Sequence, residues 1–284
     1  MFVIKFISAL VTAAPVLLLL ASGSLPSSAQ ADQTAPPLER ESEAFTPPAD
    51  SDSGDGIIST STGTFFTPPR DSRRLSGPVT PGGSRGGCLS AADTAFAAFG
   101  PKDAELILGQ TVSSHPEFVW YLPESETPYT VLFRILEPND ANRPIPIFET
   151  ELGYTPGFVK YQLPQTEKAL SPGVNYRWQV IIECNPAHPS RALLQELTFE
   201  VVPTTPTLTQ VLSTATTDTE RALAYGRAGI WYNAIAQVAQ ATTVTDQQTR
   251  SGLLSDLAEN ITAPNTEELQ QNILTIVEAT TPTP

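Results

Sequence analysis

The chain is poor in the residues that carry out chemistry. Two histidines and two cysteines stand among its 284 residues. His115 and His188 each precede a proline, and neither has a second histidine at the helical or loop spacing that a bound metal demands. No G-x-S-x-G elbow is present, and Ser113-Ser114-His115 is adjacency in sequence, which is not the geometry of a serine triad. Phosphate loops, dinucleotide fingerprints and Cys/His zinc spacings are missing too, so no catalytic residue, no metal ligand and no cofactor is expected. Basic residues are scarce: 16 Lys and Arg face 30 Asp and Glu, for a formal net charge of −14. That balance argues against nucleic acid and anionic lipid as partners.

What is present begins at the N-terminus. Lys5, an apolar run from Phe6 to Leu20, and Ala29-Gln30-Ala31 before Asp32 read together as a cleaved secretory signal over residues 1–31. The run is too short for a membrane span and lacks a stop-transfer flank. No later stretch is apolar enough to replace it, so no integral span is expected in the mature chain, which is placed in the periplasm or outside the cell. No cysteine lies at the cleavage point, so a bacterial lipoprotein anchor is not supported. In an oxidising compartment the sparse, even pair Cys88 and Cys184 is most simply one disulfide. Two buried thiols, or an intermolecular link through Cys88, are the alternatives. An internal bridge would close a loop of roughly one hundred residues, worth about 4–5 kcal/mol in the chain-entropy model.

Residues 32–87 are rich in Pro, Ser, Thr and Gly and show neither helical nor strand period. Such a stretch cannot bury enough apolar surface to offset its chain entropy and reads as a disordered linker. Its charge changes sign, from seven acids against Arg40 between Asp32 and Asp55 to Arg70, Arg73, Arg74 and Arg85. The basic end suits contact with an acidic envelope polymer, or is solvated spacer. Asp50-Ser51-Asp52-Ser53-Gly54-Asp55-Gly56 resembles the opening of a calcium loop. Asp55 stands where that loop needs Gly, however, and no Glu closes the twelfth position.

From Cys88 to Val202 short runs rich in Val, Ile, Tyr, Phe and Trp alternate with Pro, Gly and Asn. They predict seven strands, at 105–111, 117–122, 129–136, 145–152, 158–163, 174–184 and 196–202. Val174, Tyr176, Trp178, Val180 and Ile182 alternate with polar residues, as do Leu197, Phe199 and Val201, so each strand has one apolar face. Two packed antiparallel sheets follow, and the count and spacing fit an immunoglobulin-like β-sandwich over 88–202. On this parity Cys184 points towards the core, where Cys88 meets it from the leading edge of the domain.

Beyond Pro203 helix formers take over. Helices are predicted at 207–214, 218–228, 230–241 and 246–260, with Asp218 and Asp246 as N-caps, and another at 267–278 before a flexible tail. The helical segment is thus 203–262, and 263–284 holds the short helix and tail. Gly229, Trp231, Ala234, Ile235 and Ala241 follow the second half of one tetratricopeptide-like hairpin. A lone pair of helices must pack on something, either the sandwich or a partner peptide, and in the second case Trp231 and Tyr232 form the interaction surface. Glu149 and Glu151 share one side of a strand. With Glu183 in an acidic cleft they would suit a hydrolase acting on envelope polymer, although a solvent-facing strand gives the same pattern.

Four separated blocks carry a family resemblance: Arg85-Gly86-Gly87-Cys88, His115-Pro116-Glu117-Phe118-Val119-Trp120-Tyr121-Leu122-Pro123, Tyr176-Arg177-Trp178 through Cys184-Asn185-Pro186, and Ala228-Gly229-Ile230-Trp231-Tyr232-Asn233-Ala234. From Gly82 to about Asn260 the chain resembles the cyanobacterial domain of unknown function 928 family. The resemblance implies an exported envelope protein of a photosynthetic bacterium and brings no catalytic residue with it. The expected function is an envelope interaction or scaffolding module, its partner an unidentified protein or polymer. A peptide-binding helical module and a hydrolase are the alternatives.

Overall fold

Period-two alternation in the middle of the chain and threonine-capped helices after it produce two sheets followed by five helices. The computed structural model describes residues 63–70, 72–74, 88–89, 96–106, 109–139, 143–185, 187–263 and 266–282, all within the unit Ser59–Pro284. The signal reading over 1–31 and the calcium-loop reading over 50–56 lie outside the described residues. Among the described residues no helix is long and apolar enough to cross a membrane.

Strands β1 (Ala97–Ala98), β3 (Glu117–Leu122) and β6 (Gly157–Gln162) form one antiparallel sheet in the order β1-β3-β6. Strands β2 (Gln110–Thr111), β4 (Thr130–Pro138), β5 (Pro144–Gly153), β7 (Tyr176–Glu183) and β8 (Leu193–Val201) form the other, ordered β2-β8-β7-β4-β5. Along β7, Tyr176, Trp178, Val180 and Ile182 are buried while the residues between them are only partly covered, as the alternation predicts. The two sheets meet through rings. Phe118 on β3 lies 5.3 Å from Phe133 on β4 and 5.0 Å from both Trp178 on β7 and Phe199 on β8.

Two strands differ from expectation. Among the described residues of the predicted strand 105–111, Leu106 makes an isolated bridge to Arg74 and Gln110–Thr111 pair in parallel with β8, so the larger sheet is mixed rather than antiparallel. Asp103 is the reason: its Oδ1 accepts from the backbone N–H groups of Glu105 and Leu106, both at 2.8 Å, which holds that stretch in an Asx-type turn. Strand β1 was not foreseen, because two alanines carry no strand propensity.

Helices α1 (Pro206–Thr214), α2 (Asp218–Arg227), α3 (Trp231–Val238), α4 (Val244–Glu259) and α5 (Glu267–Thr280) follow. The caps of α2 and α4 are Thr217 and Thr243 rather than the expected aspartates. Each threonine has extended backbone angles and accepts from an N–H one turn in, while Asp218 and Asp246 sit inside the first turn, where a negative charge meets the positive helix end. Gly229, at φ +79°, makes the turn from α2 to α3. Helix α3 buries Trp231, Tyr232, Ala234, Ile235, Ala236 and Val238, which occupy nearly its whole circumference. A helix apolar all round belongs inside. Accordingly strands and helices share one core, from Phe118 and Trp178 to Leu254 and Ile276, and do not divide into a sandwich and a separate hairpin.

Cys88 and Cys184 form the internal disulfide, with Cα atoms 5.4 Å apart. Cys184 follows β7 directly and packs on the core, as its parity predicts. Replacing both cysteines with alanine is expected to lower unfolding stability by about 4 kcal/mol, less any native strain released, read from urea unfolding with midpoint and slope fitted separately, the slope rising as the unfolded chain expands.

Hydroxyls of Thr243 and Thr219 donate to Asp246, each at 2.7 Å, and hold its carboxyl below the ordinary value of 3.8 against a smaller opposing effect of burial. A depressed carboxyl contributes stability in full above its unfolded value and loses it as pH falls through the folded one. Asp246→Asn should therefore weaken the protein at neutral pH and flatten the loss of stability below about pH 4, measured by urea titration across pH.

Candidate functional site

Trp231 and Tyr232 do not form an interaction surface: both are fully buried. Trp231 donates from Nε1 to the Phe99 carbonyl at 3.0 Å, and the Tyr232 hydroxyl accepts from Trp178 Nε1 at 2.8 Å. The Tyr232 ring lies edge-on to Phe118, Trp178 and Phe199. Burial holds its phenol far above the ordinary range, so it stays neutral. The aromatic pair that marked a groove in the sequence is the joint between α3 and the sheets.

The residues weighed for catalysis are also dispersed. His115 Nε2 lies 3.0 Å from the Glu167 carbonyl, which can only accept, so Nε2 carries the proton and Nδ1 faces the Ser114 hydroxyl at 3.3 Å. Its backbone N–H donates to Ser113 Oγ at 3.1 Å. A triad would place a carboxylate behind the ring, where this loop has a backbone carbonyl. Glu149 and Glu151 are both exposed on β5, and Glu149 pairs with Arg134. The register places Glu183 on the same sheet face, two strands and one row away from Glu151. His188 is exposed in a turn, its N–H donating to the Asn185 carbonyl. Among the described residues no three His, Cys, Asp or Glu side chains gather as a metal ion would need.

The most specific arrangement in the structure involves residues the composition assigned to the linker. The segment 63–70 crosses the helices with a bend at Phe65, and Phe66 is fully buried, its ring edge-on to Trp231 at 5.0 Å. Asp256 on α4 accepts two consecutive backbone N–H groups at Oδ2, from Phe65 at 2.6 Å and Phe66 at 2.8 Å. Thr67 N–H donates to the Gly226 carbonyl of α2 at 3.1 Å. Glycines open the slot: a methyl group at Gly226 would collide with the Phe65 carbonyl, and one at Gly252 would stand 2.6 Å from the Phe65 ring. Pro69 then covers the Gly229 turn. Adjacent aromatics inside a Pro/Ser-rich stretch were the available signal.

Past the slot, Arg73 and Arg74 are largely exposed and pair with carboxylates of the fold. Arg73 donates to the Gly173 carbonyl at 2.6 Å and lies 3.4 Å from Glu200, a buried carboxylate on β8 that also accepts from Gln110 at 3.0 Å. Arg74 bridges Leu106 and pairs with Glu105. Elsewhere, Arg250 is buried with its guanidinium 3.9 Å over the Phe158 ring and donating to the Ala239 carbonyl, and desolvation lowers its pKa. A groove of about 580 Å³ between α1 and α2 has an apolar floor of Leu208, Val211 and Leu223, rimmed by Glu220 and Arg227.

Truncating Arg73 leaves Glu200 buried with a neutral partner only. Because Arg73 is largely exposed, the expected loss for Arg73→Ala is about 1–2 kcal/mol, below that of a wholly buried pair. The loss should shrink to a few tenths of a kcal/mol in a Glu200→Gln background, as a double-mutant cycle of urea midpoints would read.

The chain matches no curated protein and no solved structure. A family model does match, over residues 80–268, a span holding both sheets and the helices α1 to α4 but not the segment in the slot. By that match, which covers more than half of its length, the chain belongs to the family described as Domain of Unknown Function (DUF928).

Proposed function

We propose that this protein acts in the periplasm or outside the cell, after loss of residues 1–31, as an interaction or scaffolding module of a cyanobacterial envelope, without catalytic activity. The observation that carries the reading is the Cys88–Cys184 disulfide, which closes 96 residues of sequence and persists in an oxidising compartment. The apolar run at the N-terminus supports the same compartment. Side chains with catalytic potential support the rest of it: His115 pins a loop, Glu149 pairs across two strands and Glu200 is neutralised by Arg73. Within this reading the packed sheets are taken as an immunoglobulin-like sandwich, and α2–Gly229–α3 as half of a tetratricopeptide-like hairpin. The alternative of a peptide-binding helical module is favoured by one observation, the segment 65–67 held by its backbone between α2 and α4. No observation favours the hydrolase.

Protein isolated from native cell fractions tests the proposal. The expected result is a chain beginning at Asp32 in the extracytoplasmic fraction, with both thiols refractory to alkylation until reduced. A cytoplasmic chain retaining residues 1–31 with two free thiols would overturn it.

A further inference from the structure

We infer that the slot between α2, α3 and α4 is a peptide-recognition site for a segment reading Phe-Phe-Thr-Pro-Pro, which this chain fills with its own residues 65–69 and which a partner polypeptide of that chemistry can take in their place. The inference rests on the interaction-module reading and names its surface.

Three features give the slot the character of a recognition site, although Phe66 completes the core. First, it reads backbone: Asp256 takes two consecutive N–H groups and the Gly226 carbonyl takes a third, leaving the identity of the chain to its side chains. Charge-assisted bonds of this kind are the stronger class, and two consecutive N–H groups reach one oxygen because the backbone bends at Phe65. Second, it reads side chains at fixed places: a closed pocket beside Trp231 for one ring, a glycine floor at Gly252 for the ring before it, and the Gly229 turn for a proline. Aromatic rings in such pockets are the usual anchors of a peptide interface, and prolines reduce the entropy lost on docking. Third, the lining residues Gly226, Gly229, Trp231, Gly252 and Asp256 all lie within the family span 80–268, whereas the occupant lies outside it. Site and occupant are separate parts.

The same word, Phe-Thr-Pro-Pro, occurs twice in the chain, at 66–69 in the slot and at 45–48, where Ala44 stands in place of the first ring. The recurrence supplies a built-in comparison for the glycine floor. A second copy of this chain is a poor competitor. Exchanging arms between copies re-forms identical bonds while surrendering the freedom of one body, so the protein alone favours the closed form. Covalent attachment of the arm to the same chain gives it an effective concentration on the order of millimolar, which sets the threshold a partner must exceed.

The test uses the full chain carrying Phe65→Ala and Phe66→Ala, checked for an unchanged circular dichroism spectrum, and a fluorescent synthetic peptide of residues 63–70. The variant is expected to bind the peptide one to one and at least tenfold more tightly than the wild type, whose slot is filled. Adding Asp256→Asn should weaken binding at least tenfold, and a peptide of residues 42–49 should bind at least tenfold more weakly than 63–70. A folded variant that binds no better than the wild type, or binding indifferent to Asp256→Asn, would sink the inference. Should the variant not fold, the wild type is titrated with millimolar peptide while amide exchange at Phe65 and Phe66 is followed. Faster exchange supports displacement, and unchanged exchange at saturation refutes it. A wild-type chain that doubles its mass at these concentrations would assign the slot to a second copy and overturn the partner. Compartment and thiol state decide the module reading separately, so failure of one is distinguishable from failure of the other.

Discussion

The hydrogen bond from Trp178 to Tyr232 is the contact on which the packing turns. An indole N–H in a dry core costs about 1–3 kcal/mol if left without an acceptor, and Trp178 sits in the middle of β7, facing the other sheet. Tyr232 supplies the oxygen from a different layer, so satisfying one polar atom fixes where α3 lies against both sheets. The helix has little choice of depth. Gly100 and Gly109 leave the space its phenol occupies, since a methyl group at either would stand within 3 Å of Tyr232. Asn233, the next residue, accepts from Thr111 and from the Val112 backbone, tying the same helix to the edge strand β2. Once α3 is set, α2 follows through the Gly229 turn. A helix apolar on every side then requires α4 and the arm to cover what the sheets do not.

That chain of dependence shows which parts the sequence makes legible. Alternation along β7 and β8 puts Trp178, Val180, Leu197 and Phe199 inside, because period two has only one solution when one face must be dry. The five helices are legible for a similar reason, since breakers at Gly229 and in the threonine run 242–245 separate them cleanly. Local rules failed where a local group acted on a distant one. Trp231 and Tyr232 look alike in an exposed groove and in a core, and only tertiary contact with Phe99 and Trp178 distinguishes the two. Asp103 halts a strand of good propensity by offering its carboxylate to the backbone, a competition that propensity does not register.

The arm was illegible for a different reason. Composition averages over a window, and two phenylalanines diluted among Pro, Ser, Thr and Gly leave the window reading as disordered. Docking, though, is a property of a few residues. Phe66 alone buries its whole side chain, worth about 2–3 kcal/mol, and Asp256 adds charge-assisted bonds to it. A short segment can therefore be held firmly inside a stretch whose average character is that of a spacer. The arginines after it follow the same logic. Arg73 has the appearance of a solvated charge until Glu200, buried on β8, is seen to need one.

These energies also decide what an emptied slot would mean. Removing the arm would expose the Trp231 face and the glycine floor, strand the Asp256 carboxylate and the Gly226 carbonyl that accept from its backbone, and leave Glu200 without the Arg73 side chain. At about 2–3 kcal/mol for one ring, less for the half-buried Phe65, and about 1 kcal/mol for each net hydrogen bond lost, the total approaches the 5–15 kcal/mol that holds a typical domain folded. A vacant slot is thus a rarely populated state. On the inference drawn above, occupancy changes by replacement, one segment following another along the same carboxylate and the same ring pocket. The covalent loop between Cys88 and Cys184 helps here, because it stabilises the sheets independently of the arm and leaves the helices as the layer where exchange can occur.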